Sequence, residues 1–202
     1  MRKKGGILPV VLFLFLTMSL CGRVYALSDD LQARLDRRVE DIKTWGKEPI
    51  IINAVKAANA EGKTLDEIKA IDKQWIASGQ AEIISMVNFI NDMLSNACSQ
   101  YLLKEKKIIS PEYAEIFVMD NQGANVALTD KTSDYWQGDE NKFIKTFSGG
   151  KGVVFVDKAK FDESSNSFSV QVSVPVLDPD TGGAIGAITV GVDLNKLKSL
   201  KE

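Results

Sequence analysis

The chain contains no histidine among its 202 residues. That absence removes Ser-His-Asp and Cys-His nucleophilic sites, histidine-ligated metals and a phosphoacceptor histidine. Cysteine is almost as scarce, with only Cys21 and Cys98. Cys21 falls in the leader described below, so a processed chain keeps one thiol. An internal disulfide, a zinc finger and CxxC chemistry are all excluded. Cys98 lies in the apolar stripe of an expected helix and reads as a small buried hydrophobe. Arginine stops at Arg38, so the later residues offer no bidentate guanidinium clamp for a carboxylate. Internal repeats, low-complexity tracts and linker-like stretches are also missing. An enzyme built from this chain would rely on carboxylates, lysines and tyrosines alone.

What is present begins with an export signal. Arg2, Lys3 and Lys4 precede an apolar run from Ile7 to Leu20, followed by Val24-Tyr25-Ala26 as a peptidase site. The run is short for a membrane span, which needs roughly 20 residues. Residues 1–26 therefore read as a signal peptide, with Leu27 as the mature start and a periplasmic destination. Lipidation at Cys21 and retention as an anchor stay open, although Leu20 is large for a lipidation site. Losing Arg2, Lys3, Lys4 and Arg23 takes the formal charge from −2 to about −6. An acidic exported chain has no electrostatic reason to bind nucleic acid or anionic lipid.

Helices come first. Ser28 caps a helix with Leu31, Leu35, Val39, Ile42 and Trp45 at helical spacing. Pro49 opens a second helix that Gly62 stops. Thr64 and Glu67 form a capping box ahead of Leu65, Ile68, Ile71 and Trp75. A longer helix is expected from about Gln80 to Lys106. After Ser110-Pro111 the pattern changes to strands at 116–120, 125–129, 153–157, 168–176 and 184–193, with a short helix at 143–147. The class is α+β: helices at 27–110 covering one face of a five-stranded antiparallel sheet at 111–202, in one domain.

Three stretches invite a chemical reading. Asp178-Pro-Asp-Thr-Gly182 resembles the start of a calcium loop, but the fifth and twelfth positions are Gly182 and Thr189, so a hairpin is the better account. The strand 168–174 alternates, with Phe168, Val170, Val172 and Val174 on one side and Ser169, Gln171 and Ser173 on the other. Small hydroxyls and an amide suit the floor of a pocket for a small polar ligand. Finally, "TSDYWQGDE" at 132–140 gathers aromatics, carboxylates and an amide ahead of Lys142. Capping explains part of it; Tyr135, Trp136, Gln137, Asp139 and Lys142 together suggest a pocket wall.

In order and in detail, "IFVMDNQGANVALTDKTSDYWQGDENKF" followed by "FDESSNSFSVQVSVPVLDPDTGGAIGAITVGVDL" resembles the periplasmic PAS-like sensor domains called Cache, of the single-module type. The resemblance implies a five-stranded antiparallel sheet with a long N-terminal helix against it. It also implies a pocket for a small metabolite on the sheet, roofed by the segment after the second strand. The matching positions are Tyr135, Trp136, Asp139 and Lys142 on the roof, Gln171 and Ser173 on the sheet, and Asp193 in the closing "GVDL". No second apolar run and no output module follow, which departs from the usual arrangement and implies a separate membrane receptor or kinase as partner.

The expectation is therefore a non-enzymatic periplasmic sensor domain without cofactor, for an organic acid, amino acid or amine, in a chemotaxis-related or similar signalling role. With no arginine after Arg38, a carboxylate would meet Lys142 or Lys151, the Tyr135 and Trp136 donors, or backbone amides. Two other readings stay open. One is an interaction protein whose Leu31–Trp45 stripe forms a homodimer or binds a receptor helix. The other is a carboxylate-dependent hydrolase using Asp134, Asp139 or Glu140.

Overall fold

A computed structural model of the chain describes residues 27–78, 84–108, 111–162 and 167–200. The signal-peptide reading of 1–26 falls outside them. Five helices lead: α1 (Asp29–Trp45), α2 (Pro49–Ala60), α3 (Leu65–Ala77), α4 (Ile84–Ser95) and α5 (Ala97–Ile108). Strands β1 (Tyr113–Met119) and β2 (Asn125–Leu128) follow, then helix α6 (Asn141–Phe147). The chain continues through β3 (Phe155–Val156), β4 (Lys160–Asp162), β5 (Ser167–Leu177), β6 (Ala184–Asp193) and helix α7 (Leu194–Ser199).

Local chemistry accounts for most helix starts. The Ser28 hydroxyl accepts from the Leu31 amide at 3.4 Å, and Pro49 occupies the first turn of α2. Both halves of the Thr64–Glu67 capping box form. The single helix expected up to Lys106 is instead two helices, broken at Asn96. There Oδ1 of Asn96 accepts from the Ser99 amide at 2.8 Å, while its Nδ2 donates to the Val126 carbonyl at 3.0 Å. Ser99 Oγ donates to the Met93 carbonyl at 2.6 Å and accepts from the Leu128 amide at 2.9 Å. The break therefore serves β2, whose backbone groups it satisfies.

All strand pairings are antiparallel, in the order β2-β1-β6-β5-β3, with β4 also on β5. β3 pairs with Val172 and Ser173 of β5, and β4 with Ser167, Phe168 and Ser169. These two short strands are successive pieces of one edge, so six strands make five lanes. Alternation sets the two faces. Ile116, Val118, Ile188, Val190, Val192, Val170, Val172 and Val174 pack against α1, α2, α5 and α7. Phe117, Met119 and Ala187 face the other way, beneath α3, α4, Tyr135 and Phe143. The helices thus cover both faces, where the sequence suggested one. The amphipathic patterns carry no sign of which face each helix takes.

The Leu35, Val39, Ile42 and Trp45 stripe of α1 is spent on the chain's own core. Its last turn meets β5 so closely that a Cβ on Gly46 would lie 2.2 Å from the Pro175 carbonyl oxygen. Asp178, read as a calcium-loop mimic, is ion-paired at 3.0 Å to Lys56 of α2.

Candidate ligand-binding cleft

The 132–140 stretch folds as two parts. Its first part continues the sheet beyond β2: the Asn125 amide donates to the Tyr135 carbonyl at 3.0 Å, and the Gln137 amide to the Gly123 carbonyl at 2.8 Å. Gly123 adopts a φ of 85°, and a Cβ there would sit 2.5 Å from Gly138 Cα, so the turn and the added segment require glycines where they touch. The Asp134 carbonyl collects Thr132 Oγ1, Asn125 Nδ2 and Gln137 Nε2 at 2.7, 3.1 and 2.7 Å. Asp72 of α3 accepts the Tyr135 and Trp136 amides at 2.8 and 3.0 Å.

These bonds turn both aromatics toward the helices. Tyr135 is buried against Trp75 and Phe89, with ring centroids 5.8 and 5.7 Å away. Trp136 donates through Nε1 to the Gln122 carbonyl at 2.8 Å, and Lys69 lies over its ring at 4.9 Å. Gln137 is buried as well. Asp134 is occupied by the Ser133 hydroxyl at 2.6 Å.

The second part, from Asp139 into α6, overlies the second face of the sheet. Here Asp139, Glu140, Asn141 and Lys142 meet Asp157, Lys160 and Gln171 around a cleft of about 310 Å³. Lys142 Nζ lies 3.1 Å from Glu140 Oε2 and over the Phe117 ring at 5.1 Å, with its side chain only 10 % exposed. Across the cleft, Lys160 Nζ approaches Asp157 Oδ2 at 2.7 Å. Burial pushes the Asp157 carboxyl up, but the Lys160 ammonium, the Lys158 amide and Lys145 outweigh it and hold it below the usual range. Gln171 donates through Nε2 to Glu115 Oε1 at 3.2 Å, and its backbone carbonyl accepts from the Asp157 amide at 2.9 Å. Gly191 lies opposite Gln171 in β6, and a Cβ there would come 2.9 Å from the Glu115 side chain.

Of the residues expected from the sequence, Asp139, Lys142 and Gln171 come together. Tyr135 and Trp136 do not line this cleft. Ser173 is fully buried next along the strand, hydrogen-bonded to Thr189 Oγ1 at 2.8 Å. Asp193 caps α7, its Oδ1 accepting from the Asn195 and Lys196 amides at 2.9 and 3.0 Å. Lys151 is exposed at the turn after α6. The residues not expected are Asp157, Lys160 and Glu115. They belong to the edge lane and to β1, and only the pairing of those lanes with β5 and β6 brings them near. Chemically the cleft is polar and carries both signs of charge, with an amide on its floor.

No known family profile and no curated relative matches the sequence. Solved structures similar to this chain include sensor and ligand-binding domains of histidine kinases and chemoreceptors. The sensor domain of the Vibrio cholerae histidine kinase DctB is 14 % identical at a TM-score of 0.33, over 84 % of this chain and 57 % of that one. The ligand-binding domain of the Campylobacter jejuni chemoreceptor Tlp3, in complex with 4-methylisoleucine, is 13 % identical at 0.38, over 84 % and 62 %. That of the Pseudomonas aeruginosa amino acid chemoreceptor PctC, in complex with GABA, is 12 % identical at 0.40, over 68 % and 65 %. The chain thus spans less than two thirds of each. Likeness at these scores carries no weight for what this chain binds. Among the described residues no helix is long and apolar enough to cross a membrane.

Proposed function

We propose that this chain is a non-enzymatic, periplasmic small-molecule sensor domain whose cleft under α6 takes a zwitterionic metabolite such as an amino acid. The observation behind this reading is the meeting of Asp139, Lys142 and Gln171, from separate stretches of sequence, around one polar opening. A carboxylate group suits Lys142 and Lys160, and an ammonium group suits Asp139 and Asp157. Both ammonium–carboxylate pairs already present then exchange an internal partner for a ligand group. That exchange is cheap where pairs are partly solvated.

The signal would travel through β5. Gln171 faces the cleft, while Val170 and Val172 on the opposite face pack in the core that includes α1. A ligand favouring a closed α6 shifts the population of that form, and α1 feels it across one strand. A separate membrane receptor or kinase would read α1. The interaction-protein reading gains nothing from the α1 stripe, which is buried.

Calorimetric titration with a panel of amino acids, organic acids and amines tests the proposal. Saturable binding of at least one zwitterion is expected, weakened about tenfold or more in Lys142→Met and Gln171→Ala. Zwitterion binding that both variants leave intact removes the cleft from the account. Absence of binding across the panel removes the sensor reading.

A further inference from the structure

A second opening lies between α2 and the junction of α4 with α5. Its volume is about 510 Å³, and Asp120, Asn125 and Tyr135 line it together with the helices. α2 presents Ala54, Ala57 and Ala58 to this groove. Such short side chains leave space where larger ones would interlock with the facing helix. Phe89 and Met93 of α4 supply an apolar wall.

The polar groups of the groove are rich in acceptors. Asp120 is 5 % exposed and accepts from the Gln122 and Ala124 amides at 2.8 and 2.9 Å, both through Oδ1. Its Oδ2 takes part in neither bond. Asn125 is 3 % exposed and donates through Nδ2 to Thr132 Oγ1 and the Asp134 carbonyl at 2.8 and 3.1 Å. Thr132 Oγ1 itself donates to that carbonyl, so the amide orientation is settled by its neighbours. Asn125 Oδ1 is left buried with no hydrogen-bond partner. An acceptor buried without a donor is unfavourable, and a ligand N–H removes the deficit. The charges lining the groove are Asp120 and Glu61 against Lys63, whose ammonium pairs with Glu61. The balance is negative.

We propose that this groove is a second ligand site, for a primary amine carrying a compact apolar or aromatic body. The ammonium group lies toward Asp120 and Asn125 Oδ1. The body lies between Phe89, Met93 and the alanine face of α2, where an aromatic ring also meets the edge-on Phe89–Tyr135 pair. A carboxylate in the same place faces Asp120 and an unpartnered oxygen, and is rejected. The site is separate from the cleft under α6 and does not rest on the reading given for it.

Calorimetric titration of the protein with 2-phenylethylamine, and with 3-phenylpropionate as a body of similar size and opposite charge, tests this site. Saturable binding of the amine is expected, at least tenfold tighter than the carboxylate. Ala57→Trp, at an exposed helix position, fills the groove and abolishes that binding with little change in melting temperature. Asp120→Asn keeps the Oδ1 acceptor for the turn and weakens amine binding tenfold or more. Lys142→Met, in the other cleft, leaves it unchanged. Equal binding of both probes, amine binding that survives Ala57→Trp, or no amine binding by the folded protein overturns the proposal.

Discussion

Ser173 Oγ and Thr189 Oγ1 lie 2.8 Å apart on neighbouring central strands, and neither residue has exposed surface. They satisfy each other beneath the helical cover of the second sheet face. Ser173→Ala alone strands the Thr189 hydroxyl and is expected to cost about 1–3 kcal/mol. Pairing it with Thr189→Val removes both polar groups, so the double variant is expected to be more stable than the two single losses add up to, by about 1 kcal/mol. Urea denaturation of the four proteins gives the cycle. Strict additivity contradicts a shared hydrogen bond.

Arg38 of α1 closes on Glu112, whose side chain is 1 % exposed, just before β1. Glu112 Oε2 has no further partner. Arg38→Met leaves a carboxylate buried and uncompensated, with an expected loss of about 2–4 kcal/mol, since the arginine itself is partly solvated. Adding Glu112→Gln restores a large part of it. A loss of stability that the second substitution deepens speaks against the buried pair.

Asp120 titrates unusually. Burial pushes its carboxyl above the ordinary value, against the lowering effect of the amides of Ala124, Gln122 and Gly123 and of the Lys63 charge. The folded chain therefore holds this proton more tightly than the unfolded chain. By linkage its contribution to stability falls as pH rises from about 4, the ordinary aspartate value, to the raised folded one. Asp120→Asn removes that slope while keeping an oxygen for both turn amides. Denaturation midpoints of both proteins across the acid range measure the difference, and identical slopes refute it.

Cys98 is 3 % exposed, and burial pushes its thiol to about 12. The reactive species is the thiolate, so alkylation of the native protein at neutral pH is expected to be slower than that of an ordinary thiol by about three orders of magnitude. Peptide mapping after iodoacetamide treatment, with and without urea, reads this residue separately from Cys21. Rapid labelling of the folded chain places the thiol at the surface.

The caps at Ser28, Pro49 and Thr64 were legible because each motif is closed within a few residues of itself. The alternation of β5 named its faces correctly for the same reason. The break at Asn96 was hidden, since its hydrogen bonds end on Val126 and Ser99 serves Leu128. The edge lane was only half visible, because β4 is three residues long and is held by β5 alone. The cleft shows the same division. Asp139, Lys142 and Gln171 stood out by chemical type, whereas Asp157 and Lys160 became neighbours only through strand pairing. The direction of Tyr135 and Trp136 was set by Asp72 and Gln122, partners distant or turned away in the linear chain.

The strand order carries a consequence for how the molecule is made. β6, the last strand in chain order, lies at the middle of the sheet between β1 and β5. The N-terminal helices emerge first, yet their apolar stripes have no complete surface to meet until residues 184–193 follow. Until then β1 with β2, and β5 with its edge pieces, are two fragments lacking the strand that joins them. A chain cut short before Ala184 is thus expected to remain a substrate for chaperones and proteases, while one extended past Asp193 carries the strand that closes its sheet.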